Sequence, residues 1–201
     1  MRNVTNYSEV RRACPPPVEG SRTLDRFKFL IPLLAFVLLA GFMWYGLYLN
    51  PRELPSVLID KPVPEFSLET LGDNQPIAKQ DLPDEVFLLN FWGSYCLPCL
   101  VEHPTLTRLS EDKVIPIVGV NYKDREDYAL DWLETQGNPF RFSIMDPLGR
   151  LGIDMGVSGA PETFLIDANK VIRYRHVGVV DERAWAEVLL PVIEDLRRSG
   201  S

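Results

Sequence analysis

Two cysteines separated by two residues, Cys96 and Cys99, lie between an apolar run and a segment of helix-forming sequence. The apolar run, residues 86–92, has the composition of a strand that is buried on both faces. A dithiol at the junction of a buried strand and a helix indicates a redox site in an α/β domain. The only other cysteine is Cys14, so the functional interpretation depends mainly on this pair.

The spacing of the pair favours thiol chemistry. At a helix N-terminus, Cys96 would meet unpaired backbone N–H groups and the positive end of the helix dipole, which favour its thiolate. Cys99 follows about one helical turn later and can attack a mixed disulfide formed by Cys96. Pro98 fits the first turn of the helix, where a missing N–H costs little.

Two other interpretations of the pair stay open, a structural disulfide and half of a zinc site. Zinc would need two more ligands, and the sequence after residue 50 offers only His103 and His176 besides carboxylates, with no second cysteine pair. We therefore favour a redox site, expect neither metal nor cofactor, and treat both histidines as ordinary polar positions.

Residues 29–49 contain 21 positions without a charged side chain. As a helix they would span about 31 Å, close to the apolar thickness of a bilayer. Residues 1–28 have a net charge of +3, whereas the whole chain carries −7, and a basic flank marks the cytoplasmic side. We predict a cytoplasmic tail at 1–28, a single-pass inner-membrane anchor at 29–49, a Pro-rich linker at 50–64 and a periplasmic domain.

A cleaved signal peptide is the alternative to the anchor. The apolar region of a signal peptide usually has about 7–15 residues and precedes a small-x-small cleavage site. Here the stretch is longer and leads into Leu47-Tyr48-Leu49-Asn50-Pro51, so we favour an uncleaved helix. Cys14 precedes the apolar stretch, which does not fit a lipoprotein signal, and we interpret it as an incidental cytoplasmic thiol.

Residues 65–198 predict one α/β domain. Strands are expected at 66–69, 86–92, 114–120, 163–166 and 171–177, and helices at 97–110, 125–136, 147–154 and 181–198. Residues 167–170 predict a tight hairpin. Strands that alternate with helices and end in a hairpin indicate a mixed central sheet flanked by helices. The sequence has no nucleotide-binding glycine loop and no basic nucleic-acid patch, so no nucleic-acid partner is expected.

The stretch Phe91–Cys99 resembles the active-site sequence of thioredoxins. Residues 99–104, 119–124 and 156–167 narrow the resemblance to the CcmG/DsbE family, membrane-anchored periplasmic thiol–disulfide oxidoreductases of cytochrome c maturation. The similarity runs from about residue 66 to residue 198, and the anchor also matches. The resemblance implies a thioredoxin-like fold preceded by one transmembrane helix.

The resemblance also implies roles for individual residues. Cys96 would be the nucleophile and Cys99 the resolving cysteine, and the two would form the redox-active disulfide. Pro161 would be a cis-proline facing the dithiol, which leaves a backbone edge that an extended substrate can pair with. Supporting residues are expected at Trp92, Tyr95, Pro98, Asn90, Glu102 and Glu162.

The two acidic residues are candidates for proton exchange with the thiols. We expect Glu162, beside Pro161, to take the larger part, and Glu102 has a simpler interpretation as a solvated helix residue. Asn90 stands where ordinary thioredoxins have a buried Asp, so that acid–base role must lie elsewhere or be absent. Tyr95 replaces a common Trp, and Leu97-Pro98 replaces a common Pro-Thr, which leaves the reduction potential open.

The function implied by the resemblance is reduction of the disulfide in apocytochrome c, or in a partner thiol protein, before haem attachment. The expected partners are apocytochrome c with its C-x-x-C-H segment, other cytochrome c maturation proteins, and a membrane electron donor of the DsbD/CcdA type. A membrane anchor would raise the effective concentration of the dithiol near these partners.

Three other functions are alternatives to this one. A general membrane-anchored reductant of the TlpA/ResA type would use the same dithiol on other targets. A non-catalytic apocytochrome-binding module would not need Cys96 and Cys99 at all. A peroxidase of the peroxiredoxin type would need Thr or Ser three residues before the reactive cysteine, where this chain has Gly93.

Overall fold

The computed structural model describes residues 22–48 and 58–199, which fall into two units. The first unit is a single helix, α1 (Arg22–Tyr48), whose side chains from Leu30 to Tyr45 are exposed. Within the described residues, no helix combines the length and apolarity required to cross a membrane. The anchor at 29–49 stays a prediction, and residues 1–21 and 49–57 of the predicted tail, anchor and linker lie outside the described residues.

The second unit is a seven-stranded sheet flanked by helices. Its strands are β1 (Ser67–Thr70), β2 (Pro76–Ala78), β3 (Phe87–Trp92), β4 (Ile117–Tyr122), β5 (Phe142–Asp146), β6 (Glu162–Ile166) and β7 (Ile172–Val177). Its helices are α2 (Leu97–Glu111), α3 (Glu126–Gln136), α4 (Arg150–Asp154), α5 (Glu182–Ala184) and α6 (Leu190–Ser199), with a 3-10 turn at Lys79–Asp81 and a π-helical turn at Trp185–Leu189.

The strand order is β2-β1-β5-β4-β3-β6-β7. Strands β3, β4 and β5 are parallel, whereas β1, β6 and β7 each run antiparallel to the neighbour they pair with. The carboxyl ends of the three parallel strands therefore meet at one edge of the sheet, and the loop from β3 to α2 carries the cysteines. This mixed sheet confirms the predicted α/β class.

Most predicted elements are present with shifted ends, but strands β2 and β5 and the 3-10 turn were not predicted. The helix predicted at 181–198 is present and is interrupted by the π-helical turn. The strand predicted at 114–120 begins only at Ile117. Strand β5 was not predicted because Ser143 and Asp146 break the apolar run, although both are buried. The short strand β2 begins at Pro76, a residue that argues against a strand except at an edge.

The sheet has a separate apolar core on each face. We call the face that carries Leu88, Trp92 and both cysteines the dithiol face, and α2, α3 and the C-terminal helix cover it. We call the face that carries Leu89, Phe91 and Phe164 the opposite face. Because side chains alternate along a strand, neighbouring residues of β3 or β6 face different cores.

The end of the predicted linker is part of the domain and not a spacer. Val63 is fully buried on the opposite face. Its backbone N–H donates to the carbonyl of Lys170 (2.8 Å), and the N–H of Asp60 donates to the carbonyl of Ile172 (2.8 Å). Pro62 also forms an antiparallel bridge with Val171, so residues 60–63 pair with the start of β7 and belong to the domain.

Candidate active site

The cysteines lie where the sequence predicts, at the start of α2. Cys96 is the N-cap residue, and its Sγ accepts a hydrogen bond from the backbone N–H of Cys99 (3.2 Å). The two residues form a disulfide with a Cα–Cα distance of 5.3 Å. Pro98 lies in the first turn of the helix, as expected. In the reduced protein, the free N–H groups at this helix end favour the Cys96 thiolate.

The two sulfurs lie in a largely apolar setting. Cys96 is 6% exposed and Cys99 is 2% exposed, and both belong to the core of the dithiol face. Cys96 is therefore the more accessible of the two, although only slightly. Around them, Tyr95 (57%) and Leu97 (79%) are exposed, so a partner can approach the Cys96 end of the pair.

Glu102 is a buried carboxyl group on the same helix face as Cys99. It is 1% exposed, and it follows Cys99 by three residues, about one helical turn. Oε1 accepts from the Asn90 amide (2.9 Å), which also donates to Thr163 (3.0 Å), and Oε2 accepts from the Val180 N–H (2.9 Å). Burial raises the pKa of Glu102 to about 7, against the opposing effect of these two donors. The interpretation of Glu102 as a solvated residue is therefore wrong.

Glu162 is equally buried but has different partners. It pairs with Phe91 in the sheet, and its side chain lies on the opposite face with Phe164. Its carboxylate forms an ion pair with Arg175 (2.8 Å) and accepts hydrogen bonds from the N–H and the hydroxyl of Ser158. The expectation that Glu162 is the main acid beside the thiols is corrected: strand alternation turns it away from them, and Asn90 and Glu102 form the buried polar pair on the dithiol face.

The Ala160–Pro161 peptide bond is cis, as the resemblance implies. Ala160 packs against the core cluster that contains Cys96 and Cys99. The carbonyl of Pro161 accepts from the N–H of Gly178 (3.0 Å). No hydrogen bond among the described residues uses the backbone of Ala160, so its N–H and carbonyl are free to pair with another chain.

Asp124, at the end of β4, holds the loop that precedes Cys96. Its carboxylate accepts from the backbone N–H of Ser94 (2.6 Å), the Ser94 hydroxyl (3.0 Å), the Asn121 amide (3.1 Å) and the N–H of Arg125 (2.8 Å). One carboxylate thereby joins the β3–α2 loop to the β4–α3 loop. This role was not predicted from the sequence, although an Asp two residues after a buried strand is a recognisable signal for loop capping.

Tyr95 is fixed at both ends although most of it is exposed. Its hydroxyl donates to the carbonyl of Tyr122 (2.8 Å), and its ring lies so close to Gly93 that a Cβ there would come within 2.6 Å of it. Partial burial and then the neighbouring Asp124 raise the pKa of Tyr95 above its usual value. The phenol therefore stays protonated at neutral pH and remains a donor.

Trp92 is the centre of an aromatic group beneath the dithiol. Its ring stacks on Phe140 (5.3 Å between centroids) and lies tilted against Trp132 (5.1 Å). His103 meets Trp132 edge-on, and its Nε2 lies 3.1 Å from each carbonyl of residues 136 and 137. Burial lowers the pKa of His103, so a neutral ring joins α2 to the end of α3, a role that the sequence did not indicate.

Across the described ranges 22–48 and 58–199, no group of three or more His, Cys, Asp or Glu side chains is arranged to bind a metal ion. His176 binds the carbonyl of Val179 (3.0 Å) within the turn that follows β7.

A model of the redoxin family matches residues 59–190. A thiol:disulfide interchange protein DsbE from Pseudomonas aeruginosa is 47% identical over 174 residues, which cover 86% of this chain and 96% of the relative. The chain belongs to the redoxin family, within its DsbE group. The Escherichia coli K12 DsbE is 43% identical over 185 residues, 89% of this chain and all of that relative.

A solved structure supports the same assignment of the fold. The DsbF homologue from Corynebacterium diphtheriae superposes with a TM-score of 0.59 at 26% identity, covering 74% of this chain and 98% of that one. The domain is thus thioredoxin-like, with the cysteines at the position typical of such folds. Together with its DsbE relatives, the Cys96–Cys99 pair makes the chain a thiol:disulfide oxidoreductase.

Proposed function

We propose that this protein is a periplasmic reductant that opens the disulfide of apocytochrome c, or of a partner thiol protein, before haem attachment. The observation that carries the proposal is the buried carboxyl group of Glu102, which lies one turn after Cys99 on the helix that Cys96 caps. Its pKa of about 7 suits proton exchange near neutral pH. The names of the DsbE relatives support thiol:disulfide exchange as the reaction.

The reaction proceeds in two exchanges. The Cys96 thiolate attacks one sulfur of the substrate disulfide, which breaks the S–S bond, forms a mixed disulfide and releases one substrate thiolate. Cys99 then loses its proton and attacks Cys96 Sγ, which releases the second substrate thiolate and leaves the Cys96–Cys99 disulfide. Glu102 receives the Cys99 proton and passes it to the second departing thiolate, while the thiolate released first takes a proton from water. The dithiol thus supplies two electrons and one proton, and water supplies the other proton.

The substrate binds beside Ala160 and Pro161. The free backbone N–H and carbonyl of Ala160 can pair with an extended segment in the manner of an added strand. An unfolded C-x-x-C-H segment of apocytochrome c can adopt that conformation, whereas a folded protein presents its disulfide less readily. The exposed ring of Tyr95 and side chain of Leu97 flank Cys96 in sequence and extend the contact surface.

The anchor and the electron donor complete the proposal. The uncharged run at 29–49 and its basic N-terminal flank support a single helix in the inner membrane with the domain in the periplasm. A membrane donor of the DsbD/CcdA type would return the Cys96–Cys99 disulfide to the dithiol. An alkaline phosphatase fusion at Ser201 tests the location, since the phosphatase folds only after export; an inactive fusion overturns it.

The substrate is tested with the reduced full chain in detergent micelles. Its rate is compared on a peptide carrying an oxidised C-x-x-C-H segment and on a scrambled peptide with the same disulfide loop. We expect faster reduction of the first peptide, and equal rates would instead favour a general reductant. A reduction potential near or below about −270 mV fits a reductant, whereas a value near about −120 mV would overturn the proposal.

A further inference from the structure

We propose that Glu162 is a positioning residue that holds the cis-proline loop, residues 156–161, from the face of the sheet opposite the dithiol. The role differs from that of an acid beside the thiols, which the neighbouring position of Pro161 in the sequence suggests. The inference rests on the proposed function only in that the loop presents the backbone edge to which substrate binds.

The contacts of Glu162 all lead into this loop or to the residue that supports it. Oε1 accepts from the backbone N–H of Ser158 (2.8 Å) and from its hydroxyl, and Oε2 accepts from Nε of Arg175 (2.9 Å). Arg175 in turn donates through Nη2 to the carbonyl of Gly156 (2.9 Å). One buried ion pair therefore fixes the beginning and the middle of the loop by three separate groups.

The loop itself passes from one face of the sheet to the other. Val157 packs into the core of the opposite face, whereas Ala160 packs against the core that contains the cysteines. Beyond them, the carbonyl of Pro161 is bound by Gly178. Ala160 thus lies between two fixed points while its own backbone groups stay free, and the position of that free edge depends on the Glu162 contacts.

The ion pair with Arg175 distinguishes a positioning role of Glu162 from an acid–base role beside the thiols. Arg175 has a side chain only 14% exposed, and it neutralises a carboxylate that is fully buried. A neutralised pair on the far side of the sheet exerts little field on the sulfurs, since the field of a pair falls faster with distance than that of a lone charge. Glu162→Gln leaves Arg175 as a lone cation, but that side chain reaches solvent and lies on the face opposite the sulfurs. The variant should therefore disturb substrate binding and keep a reduction potential close to that of the wild type.

The test is Glu162→Gln in the full chain, assayed by steady-state reduction of a disulfide-bonded peptide and by redox titration. We expect KM to rise about tenfold, the effect of weakening a charge-assisted hydrogen bond, while kcat and the reduction potential match the wild type. Ser158→Ala, at an exposed position, removes only the hydroxyl contact and should raise KM less. It decides the question if Glu162→Gln does not fold.

Asp167→Asn is the matched control. Asp167 is also fully buried and binds an arginine of the same hairpin, Arg173 (2.7 Å), but at the far end of β6. We expect a comparable loss of stability with an unchanged KM. The proposal is overturned if Asp167→Asn raises KM as much as Glu162→Gln does, if Glu162→Gln shifts the potential without changing KM, or if a folded Glu162→Gln variant changes neither.

This test stands apart from that of the substrate. It compares variants on any disulfide peptide that the wild type reduces, so it does not require a C-x-x-C-H segment. Equal reduction of the two peptides by the wild type would refute the apocytochrome proposal and leave the KM comparison intact. An unchanged KM in Glu162→Gln and Ser158→Ala would refute the positioning role and leave the apocytochrome proposal intact.

Discussion

Two buried carboxyl groups lie on opposite faces of the same sheet and meet different partners. Glu102 accepts from neutral donors, the Asn90 amide and the Val180 N–H. Glu162 is bound by the Arg175 guanidinium and by Ser158. Their exposures, 1% and 0%, are practically the same, so burial alone cannot distinguish their roles.

The difference shows that the partner decides what a buried acid can do. Removing a carboxylate from water disfavours the charged form, and neutral donors offset this only in part. The pKa of Glu102 accordingly rises to about 7, where the group can gain or lose a proton. A guanidinium compensates the charge of Glu162 directly, which suits a fixed structural contact. The dithiol face is thus equipped for proton exchange and the opposite face for positioning.

The largest effect is expected from the dithiol itself. Cys96→Ser removes the nucleophile, so reduction of a disulfide peptide should fall to the uncatalysed rate, and Cys99→Ser should accumulate the mixed disulfide. The measurement is turnover in detergent micelles together with mass spectrometry of the trapped species. Cys14→Ser is the control and should retain full turnover. Activity that survives Cys96→Ser would show that another group is the nucleophile, and would contradict the assignment of the reaction to the dithiol face.

The next effect is on stability and concerns the opposite face. Arg175→Gln leaves the buried Glu162 carboxylate without its cation, which should reduce the free energy of unfolding by about 3–5 kcal/mol. Urea unfolding followed by tryptophan fluorescence measures it. Arg183→Gln removes the arginine of an exposed pair with Glu187 and should stay close to the wild type. Equal losses of unfolding free energy in the two variants would mean that the buried ion pair stabilises the fold no more than the exposed one.

Glu102→Gln tests the difference between the two carboxyl groups through the pH dependence of the unfolding free energy. The unfolded chain releases this proton near pH 4.5, whereas the folded protein keeps it up to about pH 7. The folded state therefore binds more protons in that window, so stability falls as pH rises from about 4.5 to 7 and stays low above it. The total change is about 3 kcal/mol. Glutamine cannot ionise, so the variant should lose this slope and be the more stable protein at pH 8.

The side-chain amide introduced by Glu102→Gln can form a hydrogen bond with Asn90. The Oδ1 atom of Asn90 is buried without a partner in the described part of the chain, so a rotated Asn90 amide can accept from the side-chain amide that Glu102→Gln introduces. Unfolding free energies at pH 5 and pH 8 provide the measurement. Glu111→Gln, at an exposed position of the same helix, should keep the wild-type slope. Identical slopes in wild type and Glu102→Gln would refute the raised pKa.

The elements around the dithiol were predictable because local signals agreed. A continuous apolar run, a cysteine at an N-cap position and Pro98 in the first turn all mark the junction of β3 and α2. The local signals for strand β5 do not agree with one another, because Asp146 is a residue type typical of loops. In the structure this buried carboxylate accepts from the N–H groups of Arg150 (2.8 Å) and Gly152 (2.9 Å), partners that depend on tertiary placement.

The prediction that Glu162 takes a larger part than Glu102 in proton exchange was wrong for a related reason. Glu162 is next to Pro161 in the chain, and closeness in sequence suggested closeness to the thiols. Pairing of Phe91 with Glu162 and alternation along β6 turn its side chain to the other core. For Glu102, the spacing from Cys99 already indicated a shared helix face. Its hydrogen bond with the N–H of Val180, however, joins residues remote in sequence, and no local pattern identifies it.

The smallest effect is expected at the loop before Cys96, where an exposed ring supplies one of several contacts. Tyr95→Phe removes the hydrogen bond to the carbonyl of Tyr122 and should cost about 1 kcal/mol. Because the ring still covers Gly93 and Asp124 still binds Ser94, the loop should keep its shape and turnover should change little. Urea unfolding and peptide reduction measure both effects.

Tyr128→Phe is the matched control for this loop. Tyr128 is exposed to a similar degree, 55% against 57%, and its ring lies against Arg125, while its hydroxyl makes no hydrogen bond among the described residues. The same chemical change should therefore leave stability unaltered there. If the unfolding free energies of both variants fall by the same amount, the hydrogen bond of the Tyr95 hydroxyl stabilises the fold no more than solvation of a hydroxyl does. If Tyr95→Phe instead abolishes turnover, the dithiol loop depends on this one contact as strongly as we infer the cis-proline loop depends on Glu162.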